Sequence, residues 1–437
     1  MTDTLTRLLQ QLDENTSTYT QLDRYFDGTQ PLSFLSPEAK AALGNRLTSV
    51  SVNVPRLLVE SVAERLRVTG FTGADVWSAW LASDLDQQSH VVHREALALG
   101  SSYCTVWAHP DGTPNVSAES ARQVTTLTDP GTRRTVAAVK RWETLTTTEA
   151  VLYEPGTITR LSANTTGATT AGFRVVDTLR NPLGVVPVVK FANAARLLDD
   201  GRSEMADVLP LTDALVKLLT DMMVSSEYTG RPRRWATGVE LEEADVLDAD
   251  GNPTGETEEV NPIPEGDRAM ISENPEAKFG QLGAADLAGY ENAVGVVMRQ
   301  ISAVSGLPEH MLGIGGDNPT SADAIRASEA ALTARAEARQ RSFGRAWEQV
   351  ARLMVAVRDE VDPAAVDVRV SWADPATRSV AQEADAAVKL VQAGILPVSA
   401  ALTKLGYTAD EIAHLRGQRR AEAVDTLGVD LGSVSVK

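Results

Sequence analysis

Histidine, cysteine and clustered carboxylates are the usual raw material of acid–base, nucleophilic and metal chemistry. This sequence offers few histidines, one cysteine, and carboxylates clustered mainly in one acidic run. Its five histidines are His90, His93, His109, His310 and His414. His90 and His93 stand three positions apart, a spacing that puts two imidazoles on one helical face and can hold zinc; His109 follows nearby. No His-Glu-x-x-His pattern and no carboxylate partner accompanies them, so the expectation is two histidines on a partly exposed helix, with no metal site. Cys104 is the only cysteine, which excludes an intrachain disulfide and points to a reducing compartment. The run Gly313-Ile314-Gly315-Gly316-Asp317 is rich in glycine, yet no Gly-Lys-Ser/Thr follows and no regular strand precedes it, so it does not read as a phosphate-binding loop. Gly-x-Ser-x-Gly is absent. The adjacent acids Glu242/Glu243 and Glu258/Glu259 lie in a solvated acidic run, where nothing separates their pKa values as acid–base work requires. No catalytic residue and no cofactor is expected, and the chain reads as a protein other than an enzyme.

Composition narrows the remaining choices. The chain has 437 residues, with 41 Lys and Arg against 59 Asp and Glu, a formal charge of −18. That length suits two to three structural units with a large core. The negative charge argues against simple adhesion to nucleic acid, which needs a basic face. No apolar run approaches the ~18–20 residues that cross a bilayer, and the N-terminus lacks the layout of a signal peptide, so no membrane association is expected.

The elements follow from periodicity. The first 28 residues read as helix, with Leu5, Leu8, Leu9 and Leu12 at i, i+3, i+4 and i+7. A second helix opens at Asn53 with Pro55 in its first turn and stops near Gly70; two more helical pieces cover about 75–83 and 85–99. From Tyr103 to about Asn193 short Val-, Thr- and aromatic-rich segments alternate with turns such as Asp111-Gly112 and Asp129-Pro130-Gly131, the pattern of antiparallel hairpins. Helix returns at about 203–228, where Pro210 starts or kinks the regular part. Between Glu240 and Glu276 thirteen acids face one base, with four prolines interspersed. Arg231-Pro232-Arg233-Arg234-Trp235, just before, could touch a phosphate or a partner, or simply end a helix. Helix resumes at 284–305, where Leu287, Tyr290, Val294, Val297, Ile301 and Val304 form a seam with a period near 3.5 that wants a neighbouring helix along its length. Thr320 or Ser321 then caps a long helix over 321–360. A short strand follows at Val366–Trp372, and three tail helices close the chain at about 377–393, 398–405 and 408–427, the last with a capping box at Thr408-x-x-Glu411.

Helix, acidic excursion, helix, glycine-rich loop and very long helix, in that order, resemble the portal proteins of tailed double-stranded DNA bacteriophages. The phrases NVPRLLVESVAERLRVTGF (53–71), HREALALGSSY (93–103), NPLGVVPVVKFAN (181–193), RPRRWATG (231–238), SGLPEHMLG (305–313) and the long stretch 318–350 look like the version found in long-tailed phages of actinobacteria. The resemblance implies an α+β, mainly α portal fold with a wing (1–202), a stem helix (203–229), a clip (230–280), a second stem helix (281–305), a tunnel loop (306–320), a long wing helix with a strand (321–375) and a crown (376–437). Gly313, Gly315, Gly316, Asp317 and Asn318 would lie close to DNA in the tunnel loop. Glu240, Glu242, Glu243 and Asp245 would belong to a docking surface on the clip.

The same resemblance implies about twelve copies in a ring at one capsid vertex. Partners would be the terminase large subunit, a head-completion or neck adaptor, the major capsid and scaffolding proteins, and double-stranded DNA passing through without sequence-specific contact. The place of action would be the virion, with assembly in the host cytoplasm. Charge suits such a conduit. A basic lining would hold DNA by releasing its counterions, whereas an acidic one does not, and screening over ~8 Å leaves the channel centre almost unaffected. A minor capsid or scaffold-associated head protein without a channel is the alternative.

Overall fold

The computed structural model describes residues 3–31, 52–193, 196–197, 200–230, 234–238, 242–247, 253–260, 274–281, 287–314, 321–376 and 380–431. Two compact units divide the chain. One comprises the N-terminal helix together with Ser51–Ala214 and Val297–Lys437, the other Leu215–Val296.

In the first unit, α1 (Asp3–Asp27) is followed by α2 (Val54–Ala63), β1 (Val68–Thr72), α3 (Trp77–Ala82) and α4 (Leu85–Leu99). Eight further strands come next: β2 (Ser101–Ala108), β3 (Pro114–Ser120), β4 (Val124–Thr128), β5 (Thr135–Glu143), β6 (Thr148–Tyr153), β7 (Thr157–Ala163), β8 (Arg174–Arg180) and β9 (Val188–Ala192). Strands β4 to β8 make a sequential five-stranded meander; β2 pairs with both β3 and β9 in a second sheet. The leucine stripe of α1 is buried as its spacing requires, with Leu5, Leu8, Leu9 and Leu12 against Ala137, Val139, Ala150, Leu152 and Leu161 of the meander. Each such leucine, fully buried, contributes about 1.5–3 kcal/mol. The turn chemistry is local: Asp129 Oδ1 accepts from Thr132 N at 2.6 Å, and Gly112 takes φ +82° beside Asp111.

Three expectations need correction, and the acidic excursion gains an internal structure. The helix from Asn53 ends at Ala63, and Gly70 lies inside β1, which pairs antiparallel with β14 (Arg369–Trp372) some 300 residues away. Residues 204–208 form turns; the regular helix α5 (Leu209–Gly230) begins at Leu209, with Pro210 in its first turn, where a missing N–H costs nothing. The acidic excursion holds strands, β10 (Arg234–Thr237), β11 (Glu242–Leu247), β12 (Pro253–Val260) and β13 (Lys278–Gln281), paired as two ribbons, β10 with β13 and β11 with β12. After α6 (Ala288–Ser305), the expected single helix over 321–360 is two, α7 (Ala322–Ser328) and α8 (Ala330–Asp359), separated at Glu329 with φ −90° and ψ 0°.

Two of the expected helix caps form, while α8 starts at Glu329 without a side-chain cap. Ser321 Oγ accepts from Ala324 N at 3.2 Å. The tail helices are α9 (Val380–Gln392), α10 (Val398–Lys404) and α11 (Ala409–Leu431). Thr408 Oγ1 and N both donate to Glu411 Oε2, at 2.9 and 2.8 Å, closing the capping box.

The core of this unit is aromatic. Trp80 meets Trp347 at 4.8 Å between ring centroids, Phe191 meets Trp347 at 4.5 Å and His93 stacks on Phe343 at 5.5 Å. Side chains from α3, α4, β9 and α8 thereby lock together.

Candidate functional site

The glycine-rich segment is rooted at the C-terminal end of α6. Gly306, at φ +73°, turns the chain out of the helix, and Ser302 Oγ donates to Leu307 O at 2.7 Å. A 3-10 turn, Glu309–Leu312, follows and closes at Gly313 with φ +69°, a conformation that glycine adopts without steric penalty. Of the residues expected in the tunnel loop, Gly313 is this turn's cap. Gly315, Gly316, Asp317 and Asn318 lie outside the described residues.

Behind that turn sits a buried carboxylate that sequence reasoning missed. Glu329, at the break between α7 and α8, is 5% exposed. Its Oε2 accepts from Arg65 Nη2 at 3.0 Å, and its Oε1 lies 3.7 Å from His310 Nε2. Arg65 also donates to Ser61 O at 2.8 Å, which fixes the guanidinium to the end of α2. One carboxylate thus ties together α2, the 3-10 turn and the helix break.

A second buried carboxylate, Glu204, anchors the approach to α5. Its Oε1 accepts from Arg335 Nη1 at 2.6 Å; its Oε2 accepts from Arg339 Nη2 at 2.9 Å and Asn193 Nδ2 at 3.0 Å. Burial alone would raise its pKa, but the two guanidinium groups outweigh that and hold it below the ordinary glutamate range. Here two glycines allow two backbones to touch. A Cβ on Gly201, at φ +126°, would stand 2.3 Å from Gly100 O. Only the arrangement in space identifies this site, although Arg335 and Arg339 at i and i+4 were a visible hint.

Burial along the seam residues of α6 is uneven. Tyr290, Val294 and Val297 are half-buried and Ile301 is fully buried; Tyr290 OH lies 3.1 Å from Ser225 Oγ of α5. Leu287 precedes the helix, and Val304 is 41% exposed, as is Val296 at 52% off the seam. The helix winds at 3.6 residues per turn, so a strict 3.5 seam drifts off one face towards its end.

Glu242, Glu243 and Asp245 fall on β11, in register with Val260, Glu259 and Thr257 of β12. Glu240 lies outside the described residues, as do Arg231, Pro232 and Arg233. On the other ribbon the Trp235 indole covers Gly280, where a Cβ would approach to 2.6 Å; Trp235 and Phe279 remain exposed at 42% and 41%.

The candidates for reactive chemistry are occupied by packing. Trp347 Nε1 donates to His93 Nε2 at 2.8 Å, so a neutral His93 carries its proton on Nδ1. Burial, with a smaller repulsion from His90, pushes its pKa down to about 3. Burial pushes the Cys104 thiol up, away from thiolate. Among the described residues no three His, Cys, Asp or Glu side chains gather in a metal-binding group, and no helix is long and apolar enough to cross a membrane.

Known proteins resemble this chain along nearly its whole length. The phage portal protein family of the SPP1 Gp6-like type matches residues 5–424. The portal proteins of Mycobacterium phages D29 and L5 are each 32% identical to it over 405 residues, covering 86% of this chain and 80% of theirs. Among solved structures, a chain from the neck of a native gene transfer agent particle, computed with C12 symmetry, aligns over 89% of this chain and 93% of its own, with a TM-score of 0.46 at 14% identity. A chain from the virion of the same kind of particle aligns over the same shares with a TM-score of 0.43 at 13% identity.

Proposed function

Because this chain belongs to the SPP1 Gp6-like phage portal family, a family of virion structural proteins and not of enzymes, we propose that it builds a ring of about twelve copies at one capsid vertex, through which DNA enters during packaging and leaves at infection. The observation that carries this reading is the family match over residues 5–424, joined by relatives at 32% identity named as portal proteins. In this reading α5 and α6 form the stem and 230–280 the clip, with Glu240, Glu242, Glu243 and Asp245 on the surface that docks terminase and, later, a neck adaptor. Residues 306–320 form the tunnel loop, with Gly313, Gly315, Gly316, Asp317 and Asn318 nearest the duplex; 1–202 and 321–375 form the wing, and 376–437 the crown. The chain hydrolyses nothing; a separate motor drives the DNA.

The chemistry supports a conduit. A formal charge of −18 per copy leaves little adhesion for a polyanion. Helix α5 is apolar on most of its circumference, with Leu218, Leu219 and Met222 half-buried and Met223 36% exposed, and such a helix is stable when neighbours cover it. Adjacent copies in a ring supply that cover. Gold-labelled antibody against this chain, applied to virions opened at the neck, tests the placement: label at a single vertex at the head–tail junction is expected, and label spread over the shell contradicts it.

A further inference from the structure

In a chain with a surplus of acids, one trench is edged by cations. It runs along α8 beside β14, in the first unit, with a volume of about 760 Å³. Arg341 and Arg345 rise from α8, Arg369 from β14 and Lys404 from α10. All four are exposed. Arg345 and Lys404 have no ion-pair partner among the described residues. Arg341 has only the distant contact to Glu337 at 3.9 Å, which is worth little at a surface. Of the three acids in the same trench, Glu337 is exposed beside Arg341, Glu348 is already shared between Arg369 at 3.3 Å and Arg352 at 4.0 Å, and Asp374 accepts from Ala376 N at 3.0 Å, so the cations left without a carboxylate are Arg345 and Lys404.

The wall of the trench is a strand with one free side. β14 pairs with β1 alone, so its other edge has no strand beside it among the described residues. The strand packs flat on α8 because Gly344 leaves room: a Cβ on that residue would stand 3.3 Å from both Trp372 Nε1 and Val370 Cγ1. An open strand edge flanked by a helix is the geometry in which an extended peptide adds as a further strand, with main-chain bonds for affinity and flanking side chains for selectivity. Four residues of β14 span ~13 Å, one short segment's length.

We propose that this trench docks an acidic, extended segment of another polypeptide, laid alongside β14 beneath Arg341, Arg345, Arg369 and Lys404. Charge complementarity selects an acidic occupant. The four-residue length of β14 suits a single short extended strand. The chain's own acidic strands β11 and β12 are already paired with each other, so they are not free to supply it.

The test uses the full-length chain and a fluorescent eight-residue peptide of alternating Glu and Val, read by anisotropy. Saturable binding is expected, weakening as salt rises. Arg341→Glu with Arg345→Glu should lower affinity at least tenfold while circular dichroism and oligomeric mass stay unchanged. A peptide with two Val→Pro changes should also bind at least tenfold more weakly, because it cannot add to a strand edge. Equal binding of the proline peptide, tripolyphosphate or a 20-base-pair duplex would reduce the trench to a plain polyanion patch and overturn the proposal. Loss of oligomeric mass in the charge-reversed variant would assign the trench to a second copy of this chain, and overturn it as well.

Discussion

Replacing Glu204 with Gln removes one charge and almost no volume, and so isolates what the buried carboxylate does. The side chain is 3% exposed and faces Arg335 and Arg339, whose own exposures are 29% and 16%. Removing one partner of a buried ion pair costs about 3–5 kcal/mol when the other is left fully dry. Water reaches both guanidinium groups here, so we expect about 2–3 kcal/mol. The loss should appear in urea unfolding followed by tryptophan fluorescence, and in faster hydrogen exchange of residues 201–208. Replacing all three groups together (Glu204→Met, Arg335→Met, Arg339→Leu) should cost less than Glu204→Gln alone, since no charge is then stranded. The pH dependence has a definite sign. The folded carboxyl has a depressed pKa, so its contribution is complete above the unfolded value of about 4.3 and is lost as pH falls through the folded one. A Glu204→Gln variant within 0.5 kcal/mol of the parent, or a triple variant worse than the single, would refute the argument.

His93 should weaken the fold in mild acid. Its folded pKa of about 3 lies below an unfolded value of about 6.5, so stability falls by about 1.4 kcal/mol per unit as pH drops from 6.5 towards 3; His93→Phe should cost about 1–3 kcal/mol at pH 8 by stranding the Trp347 N–H, yet flatten that acid limb in a denaturant series. Gly201→Ala should destabilise by about 1–3 kcal/mol or more, because its Cβ would meet Gly100 O at 2.3 Å in a left-handed backbone, and thermal melts would register it. Cys104, buried on β2, should resist a thiol reagent until the chain unfolds, so labelling that tracks urea denaturation is expected and rapid labelling of native protein contradicts its burial.

Local order in the sequence carried a good part of this fold. The leucine spacing of α1, Pro210 near the start of α5, the Thr408–Glu411 capping box and the hairpin turns at Asp111-Gly112 and Asp129-Pro130-Gly131 are each set by neighbours within a few residues, and each stands where its chemistry put it. What escaped depends on partners far along the chain. β1 looks like a frayed helix end until Arg369–Trp372 arrives to pair with it. The stretch Ala-Ser-Glu-Ala around Glu329 consists mostly of good helix formers, and the break there coincides with contacts to Arg65 and His310 that no local pattern announces. Of the ribbons in 234–281, β11 and β12 are built from acidic strands of low β-propensity, and β10 and β13 are only four residues each and pair across some forty positions, so composition hid them. The histidine pair read from spacing resolved differently for its two members: His93 became core, held by Trp347 from 254 positions away. The buried carboxylates Glu204 and Glu329 carried no sequence signal apart from the Arg335/Arg339 repeat. Family phrases spread from residue 53 to residue 350 were what made the family legible.

Electron micrographs of the purified full-length chain, sorted into class averages alongside a solution mass, test the ring most directly. Annuli with an open centre and a mass of about twelve copies are the predicted result. Single molecules or filled clusters, seen both in solution and at the capsid vertex, would contradict it.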